Sequence, residues 1–139
     1  MARALIVTVL LLFPLGASAQ QRKFFLTKDA VPATQATKAC GPAFHMASTF
    51  ELVDPGALRY DTTKGMTVVD SGSGPPAGVQ GWIHSGTAGP SWSCNGWTDR
   101  SEKNTGAVLI FAIEPVKGPS VQFSLVSCQG ERSVWCIED

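Results

Sequence analysis

Two histidines, His45 and His84, are the residues of this sequence best suited to acid or base chemistry near neutral pH. A hydroxyl, imidazole and carboxylate relay could be assembled on paper from one of them with Ser48 or Ser85 and with Asp54 or Asp61. No nucleophile-presenting motif such as G-x-S-x-G supports this arrangement. The favoured role of both histidines is therefore hydrogen bonding in loops or at the edge of the core.

Four tryptophans form a second set of residues with binding chemistry, because an indole offers a large apolar face and one polar N–H group. Trp82, Trp97 and Trp135 are expected to pack in the core. Trp92 lies in a Gly/Pro/Ser-rich stretch, where exposure and burial are about equally favoured. The side chains of this region that could bind a ligand are Trp92, Asn95, Trp97, Asp99, Arg100 and Asn104.

The four cysteines favour disulfides over metal binding or catalysis. The sequence has no C-x-x-C motif and only two histidines to complete a zinc site, so we predict no metal and no cofactor. Paired cysteines also lack the thiolate that nucleophilic catalysis requires. Four cysteines allow three pairings, and their spacing alone does not choose among them.

The first 19 residues have the organisation of a secretory signal peptide. Arg3 supplies the positive charge, Ala4 to Leu15 form an apolar run, and Ala17-Ser18-Ala19 form a small-residue cleavage site. The run is shorter than the roughly 20 apolar residues that span a bilayer. We expect cleavage before Gln20, export to the periplasm, the cell surface or the medium, and no membrane insertion of the mature chain.

Composition favours one exported domain, residues 20 to 139, which is long enough to bury a core. Eleven basic and eleven acidic side chains leave the whole sequence without net charge, and no basic block is present. Proteins that bind nucleic acid or anionic membranes usually concentrate positive charge. Neither is therefore predicted as a partner.

Apolar runs predict the strands that must position these residues. Phe24 to Leu26 fit a buried strand, and Ala107 to Ile113 fit a central strand buried on both faces. Ser120 to Ser127 alternate polar and apolar residues, which is typical of a strand with one face in the core. Shorter strands are predicted at 44–47, 66–69, 79–83 and 133–137.

Two short helices are also predicted. The first lies within residues 29–39, where Asp29 and Pro32 suit a helix start, with an irregular segment as the alternative. The second begins with a capping box formed by Ser48 and Glu51. Its buried side is expected to consist of Phe50, Val53 and Leu58, with Leu52 as a further candidate. Pro55-Gly56 either ends this helix early or kinks it.

The cysteine-bearing segments resemble C-type-lectin-like domains and, more closely, the endostatin module of collagens. The likeness rests on Cys94 and Trp97, on Cys128-x7-Cys136, and on the closing Cys136-Ile137-Glu138. Upstream, Cys40 and the segments 46–50 and 82–86 resemble the first half of that module. The resemblance implies an α+β fold with two short helices on antiparallel strands, long irregular loops, and nested disulfides Cys40–Cys136 and Cys94–Cys128.

Motifs associated with calcium-dependent sugar binding in C-type lectins are missing from this sequence. Glu114-Pro115-Val116 lies after Cys94 and lacks the amide, and the strand before Cys128 reads QFSLVS, without oxygen ligands for a hard cation. The resemblance therefore implies a secreted, non-enzymatic binding or surface module for a glycan or an extracellular protein. Its binding surface would be the loops from Gly72 to Asn104. The alternatives are a small secreted hydrolase using His45 or His84 and a purely structural envelope component.

Overall fold

The computed structural model describes residues 21–87, 89–114 and 118–139, with the backbone alone described at 113, 114, 118 and 119. The predicted signal peptide, residues 1–19, lies outside the described residues. The described chain is a mixed α+β structure that consists mostly of strands, with a few short helical turns and two disulfides.

The strands are named in chain order. They are β1 (Arg22–Leu26), β2 (Val31–Pro32), β3 (Phe44–Met46), β4 (Leu58–Tyr60), β5 (Gln80–Trp82), β6 (Thr105–Glu114), β7 (Gly118–Ser127) and β8 (Glu131–Glu138). The helical segments are the one-turn α-helix α1 (Thr49–Leu52) and the 3-10 turns η1 (Ala33–Lys38), η2 (Pro55–Ala57) and η3 (Pro90–Trp92). A further one-turn segment, Cys94–Trp97, has positive φ angles throughout and is called the left-handed turn below.

One sheet runs in the order β4-β1-β8-β5-β6-β7, and β2 and β3 also pair with β8. The β1–β4 and β5–β8 pairs are parallel, and the other pairs are antiparallel. The resemblance implied antiparallel strands, and this expectation is wrong for these two pairs. Residues 27–57 and 83–130 separate the parallel partners, and connections of this length allow the chain to return in the same direction.

The core lies where β1, β8, β5 and β6 adjoin. Phe24, Phe25 and Leu26 are buried in β1, so the prediction of a buried first strand is confirmed. In β6, the consecutive residues Val108 and Leu109 are both fully buried. Consecutive residues of a strand point to opposite faces, so β6 is covered on both faces at these residues, as the sequence predicted. Its predicted central position is wrong, because β6 is next to last in the strand order.

Two disulfides connect distant segments of this framework. Cys40 bonds to Cys136 and Cys94 bonds to Cys128, with Cα–Cα distances of 5.5 and 5.6 Å. These are the two pairs that the resemblance implies. The first ties the chain just after η1 to β8, and the second ties the left-handed turn to the residue that follows β7.

Helix α1 begins as predicted and ends sooner than predicted. The capping box is confirmed, because the Ser48 backbone N–H donates to the Glu51 carboxylate over 2.9 Å. The helix lasts one turn, and of its predicted apolar face only Leu52 is buried, whereas Phe50 and Val53 are 75% and 63% exposed. The expected buried side is therefore wrong. One turn directs a single apolar side chain inward, and Leu58 belongs to β4 instead.

Strand β7 also departs from prediction. Phe123 and Leu125 were expected in the core, yet they are 47% and 44% exposed. The reason is the position of β7 at the end of the sheet, where β6 is its paired neighbour among the described strands. The core reaches β6 and covers β7 only in part, since Val121 and Val126 are partly buried against it.

Two smaller expectations change as well. Residues 66–69 are not a strand: the chain turns there, the Ser71 N–H donates to the Val68 carbonyl over 3.0 Å, and Val69 is fully exposed. The helix predicted within 29–39 is the 3-10 turn η1, which starts after Pro32 and not at Asp29. The φ of Pro32 is near the value its ring imposes, which suits the residue that precedes the turn.

Candidate functional site

An apolar groove of about 500 Å³ opens on one face of the sheet. We call it the apolar groove; it is lined by Thr49, Phe50, Val53, Ser85, Trp92, Ala107, Phe123, Ser124 and Leu125. None of these lining residues is charged. The groove therefore presents mostly carbon atoms, and its side-chain polar groups are hydroxyls and the indole N–H of Trp92.

The β6–β7 hairpin supplies the floor and one wall of the groove. Ala107 is directly opposite Leu125, and Leu109 is opposite Phe123, so these side chains share one face of the sheet. Ala107 is small, which leaves a depression beside the two larger side chains of β7. The edge position of β7 keeps that wall accessible to solvent.

Helix α1 supplies the opposite wall. The Thr49 hydroxyl donates to the Ser85 carbonyl over 3.0 Å, and the Thr49 N–H donates to the His84 carbonyl over 2.9 Å. These bonds hold α1 against the chain that follows β5. Because the helix is fixed in this way, Phe50 and Val53 face the groove.

Trp92 closes one end of the groove. It ends η3, which is held against β6 because the Thr105 hydroxyl donates to the Ser91 carbonyl over 2.6 Å. Trp92 is 45% exposed, so part of its surface remains available to a ligand. The other three tryptophans are buried, and their predicted packing in the core is confirmed.

A second cleft, of about 420 Å³, lies beside η3. It is called the His84 cleft and is lined by His84, Thr87, Gly89, Pro90, Ser93, Asn95, Gly96 and Trp97. The Trp97 Nε1–H donates to His84 Nδ1 over 3.2 Å, which places the proton of a neutral imidazole on Nε2. Burial, followed by the charge of His45, lowers the pKa of His84.

The left-handed turn forms one side of the His84 cleft. The φ angles of Cys94, Asn95, Gly96 and Trp97 are 48°, 54°, 69° and 64°. This conformation costs roughly 1 to 2 kcal/mol for each residue that has a Cβ, and Gly96 adopts it freely. The turn is held by the disulfide of Cys94, by burial of Trp97, and by a 3.0 Å bond from the Gly96 N–H to the Ser93 hydroxyl.

The remaining predicted ligand-binding residues stabilise their own loop. The Asp99 carboxylate accepts hydrogen bonds from the Ser101 N–H, over 2.7 Å, and from the Asn104 amide, and these bonds lower the pKa of Asp99. Arg100 lies 3.9 Å from the carboxylate of Glu131. Of the six predicted residues, Trp92 lines the apolar groove, Asn95 and Trp97 line the His84 cleft, and Asp99, Arg100 and Asn104 line neither.

The histidine relay suggested by the sequence is not assembled in the described residues. His45 Nδ1 lies 2.7 Å from Asp139 Oδ1 and its Nε2 lies 3.1 Å from Glu51 Oε1, so both ring nitrogens face carboxylates. The Ser48 hydroxyl donates to Glu51 Oε2 over 2.8 Å and not to an imidazole. Burial alone would raise the pKa of Glu51, but the hydrogen bonds from Ser48 and the contact with His45 lower it.

The other proposed relay members are engaged elsewhere. Ser85 Oγ lies 3.0 Å from the Thr87 hydroxyl, Asp54 accepts from the Gly56 N–H, and Asp61 accepts from the Thr63 hydroxyl. Within residues 21–87, 89–114 and 118–139, no cluster of three or more acidic, histidine or cysteine side chains is arranged to hold a metal ion. In the same part of the chain, no helix has the length and apolar composition that crossing a membrane requires.

Comparisons with protein-family models, with curated proteins and with solved structures found no match to this chain. The function is therefore inferred from the geometry of the groove and the cleft.

Sequence reasoning assigned four of the groove residues to the core: Phe50, Val53, Phe123 and Leu125. The sequence contains one feature that indicates the exposure of Phe50 and Val53. Pro55 follows the capping Ser48 by seven positions and limits the helix to about one turn. The exposure of the second pair depends on the order of strands in the sheet, for which the sequence has no local signal.

The lowered pKa of His84 predicts a loss of stability in mild acid. The unfolded chain binds this proton near the ordinary pKa of 6.5, whereas the folded chain binds it only at lower pH. The contribution of neutral His84 to the free energy of unfolding is therefore complete above pH 6.5, and it is lost as the pH falls through the pKa of His84 in the folded chain. Urea unfolding at a series of pH values between neutrality and mild acid should show this loss.

A His84→Gln variant should lose less stability over the same pH interval, because an amide oxygen keeps an acceptor for Trp97 without titrating. Titration of the imidazole by NMR gives an independent measurement of the same pKa. An imidazole that titrates above 6.5, or an unchanged pH dependence in the variant, would contradict the prediction.

Proposed function

We propose that this chain is a secreted, non-enzymatic binding module whose apolar groove receives aliphatic or aromatic side chains of an extracellular protein. The proposal rests on the exposed apolar side chains that line the groove. Five large apolar side chains line it and are about half exposed or more, namely Phe50, Val53, Trp92, Phe123 and Leu125. Exposed apolar patches rimmed by polar residues mark interaction sites.

A protein partner suits this groove better than a glycan. Sugar rings need several directed hydrogen bonds besides an aromatic face, and the side-chain polar groups of the groove are the hydroxyls of Thr49, Ser85 and Ser124 and the Trp92 N–H. The Thr49 hydroxyl is already bonded to the Ser85 carbonyl. Trp92 with a surrounding set of aliphatic and aromatic side chains has the composition of a protein-binding hot spot.

We further propose that the fold is C-type-lectin-like. The supporting features are the nested disulfides Cys40–Cys136 and Cys94–Cys128 and the pairing of β1 with β8, which brings the two ends of the described chain together.

Secretion remains a proposal from the predicted signal peptide, and two disulfides are compatible with an oxidising compartment. The absence of an assembled histidine relay in the described residues favours binding over hydrolysis.

Substitution of Phe50 or Trp92 should abolish most of the binding. A displayed peptide library, selected on the immobilised chain, would supply peptides whose affinity is then measured by isothermal titration calorimetry. Phe50→Asp and Trp92→Ala should each weaken binding of a selected peptide by about 30-fold, the effect of losing a hot spot near 2 kcal/mol. Both side chains are exposed, so the melting temperature should change little.

Val69→Asp is the matched control, since Val69 is fully exposed and does not line the groove. Selected peptides should be rich in aliphatic and aromatic residues. Peptides that bind all three variants equally would place the binding surface elsewhere. Binding of a glycan array with no selection of apolar peptides would overturn the proposal in favour of a sugar ligand.

A further inference from the structure

Strand β7 is a long open edge of the sheet. It runs for ten residues, Gly118–Ser127, and pairs with β6 in a register without a bulge, from Thr105↔Ser127 to Glu114↔Gly118. In the described residues it is the last strand of the sheet on that side. The outer row of backbone N–H and C=O groups from Val121 to Ser127 is therefore a template for another strand.

The usual protections of an edge strand are missing from β7. Proteins protect such edges with charged side chains, bulges or very short strands. The sequence of β7, GPSVQFSLVS, has no charged residue, and Pro119 lies only at its beginning. The opposite edge of the same sheet differs: β4 has three residues, and the exposed Arg59 is one of them. The chain thus protects one edge and leaves the other suited to pairing.

The pattern of β7 is self-complementary. Around Phe123, apolar residues occupy positions 121, 123 and 125, and polar residues occupy 122 and 124. An antiparallel pair that is centred on Phe123 joins Val121 to Leu125 and Gln122 to Ser124. This register matches apolar side chains with apolar ones and polar with polar, without any opposed charge.

We propose that β7 pairs with β7 of a second copy of this chain, antiparallel and with the two-fold axis at Phe123. A strand that pairs antiparallel with its own copy meets its own sequence in reverse, so it must have a palindromic pattern, as β7 has. An unrelated partner strand would not require this pattern, and the pattern therefore favours a second copy. The two six-strand paths, β4 to β7, then form one continuous sheet. Because Phe123 of each copy lies on the groove face, the two apolar grooves open side by side on the same face. This pairing does not depend on what the groove binds.

Association of the chain without any ligand tests the proposal directly. Sedimentation velocity and light scattering between about 1 and 500 µM should show a monomer–dimer equilibrium of the kind that interfaces of modest size produce. Phe123→Lys and Phe123→Glu should each weaken dimerisation at least about tenfold, because like charges would lie opposite one another at the two-fold axis. A 1:1 mixture of the two variants should restore the dimer, since opposite charges then face each other.

Val69→Lys is the control for added charge, because it introduces a lysine at an exposed valine away from β7. A wild-type chain that stays monomeric over the whole concentration range would overturn the proposal, as would variants that dimerise like the wild type or fail to rescue each other. Hydrogen exchange is a second test, and it uses the wild-type chain alone. Protection of the amides in 121–126 should rise with protein concentration, and exchange that is independent of concentration would equally overturn the pairing.

Discussion

Replacing both Cys40 and Cys136 by alanine is expected to lower the free energy of unfolding by about 3 to 5 kcal/mol. The two cysteines are 96 residues apart, so the bond removes much of the conformational freedom of the unfolded chain. It also joins the chain just after η1 to β8, the strand that pairs with β1, β2, β3 and β5. A loss of this size is a large part of the 5 to 15 kcal/mol that is typical of native proteins.

Replacing Cys94 and Cys128 is the matched control for this prediction. Their separation is 34 residues, and the loop-entropy relation gives a loss that is smaller by roughly 0.9 kcal/mol. Urea unfolding of the two double variants, each without its cysteine pair, would measure the difference. A larger loss from the shorter loop would show that release of the left-handed turn, and not chain entropy, dominates the effect.

Trp135→Ala should destabilise the chain by about 3 to 5 kcal/mol, the range for truncating a large buried aromatic residue. Trp135 is fully buried, and its Nε1–H donates to the Leu109 carbonyl over 2.9 Å. Its ring lies 5.0 Å from that of Phe111 and 6.2 Å from that of Phe24, centroid to centroid. The substitution therefore leaves a cavity and removes this hydrogen bond at the point where β8, β6 and β1 adjoin.

Close packing at this point also involves Gly81. A Cβ at Gly81 would lie 2.7 Å from Trp135 Cδ1, so the indole occupies the space that a side chain would need. Trp135→Phe should retain part of the stability, since the smaller ring keeps the aromatic contacts but loses the hydrogen bond. Trp92→Ala is the control for loss of an indole, and thermal and urea unfolding should show only a small effect for it. Equal destabilisation by Trp92→Ala and Trp135→Ala would contradict the assignment of Trp135 to the core.

These two predictions separate the framework from the binding surface. The disulfide of Cys40 and the ring of Trp135 stabilise the fold, whereas Trp92 and Phe50 contact solvent and are available to a partner. Variants of the first kind should lose stability and binding together. Variants of the second kind should lose binding alone, and this difference tests the groove as a functional site.

Local patterns in the sequence predicted the parts of the fold that depend on neighbouring residues. The apolar runs of β1 and β6, the capping box of Ser48 and Glu51, and the burial of Trp135 are all observed. The disulfide pairing was implied by resemblance and not by spacing, since three pairings were open. The loop from Gly72 to Asn104 was proposed as the binding surface, and of the groove residues it contains Ser85 and Trp92.

The sequence alone determined which residues are apolar and predicted the longer strands β1, β6, β7 and β8, because those properties depend on side chains a few positions apart. Only the tertiary structure decided that Phe50, Val53, Phe123 and Leu125 line an open groove. An apolar face is buried only if another element packs on it, and this depends on the order of strands and on where α1 ends. The left-handed turn at Cys94 to Trp97 is likewise held by contacts with distant residues, including the bond of Cys94 to Cys128.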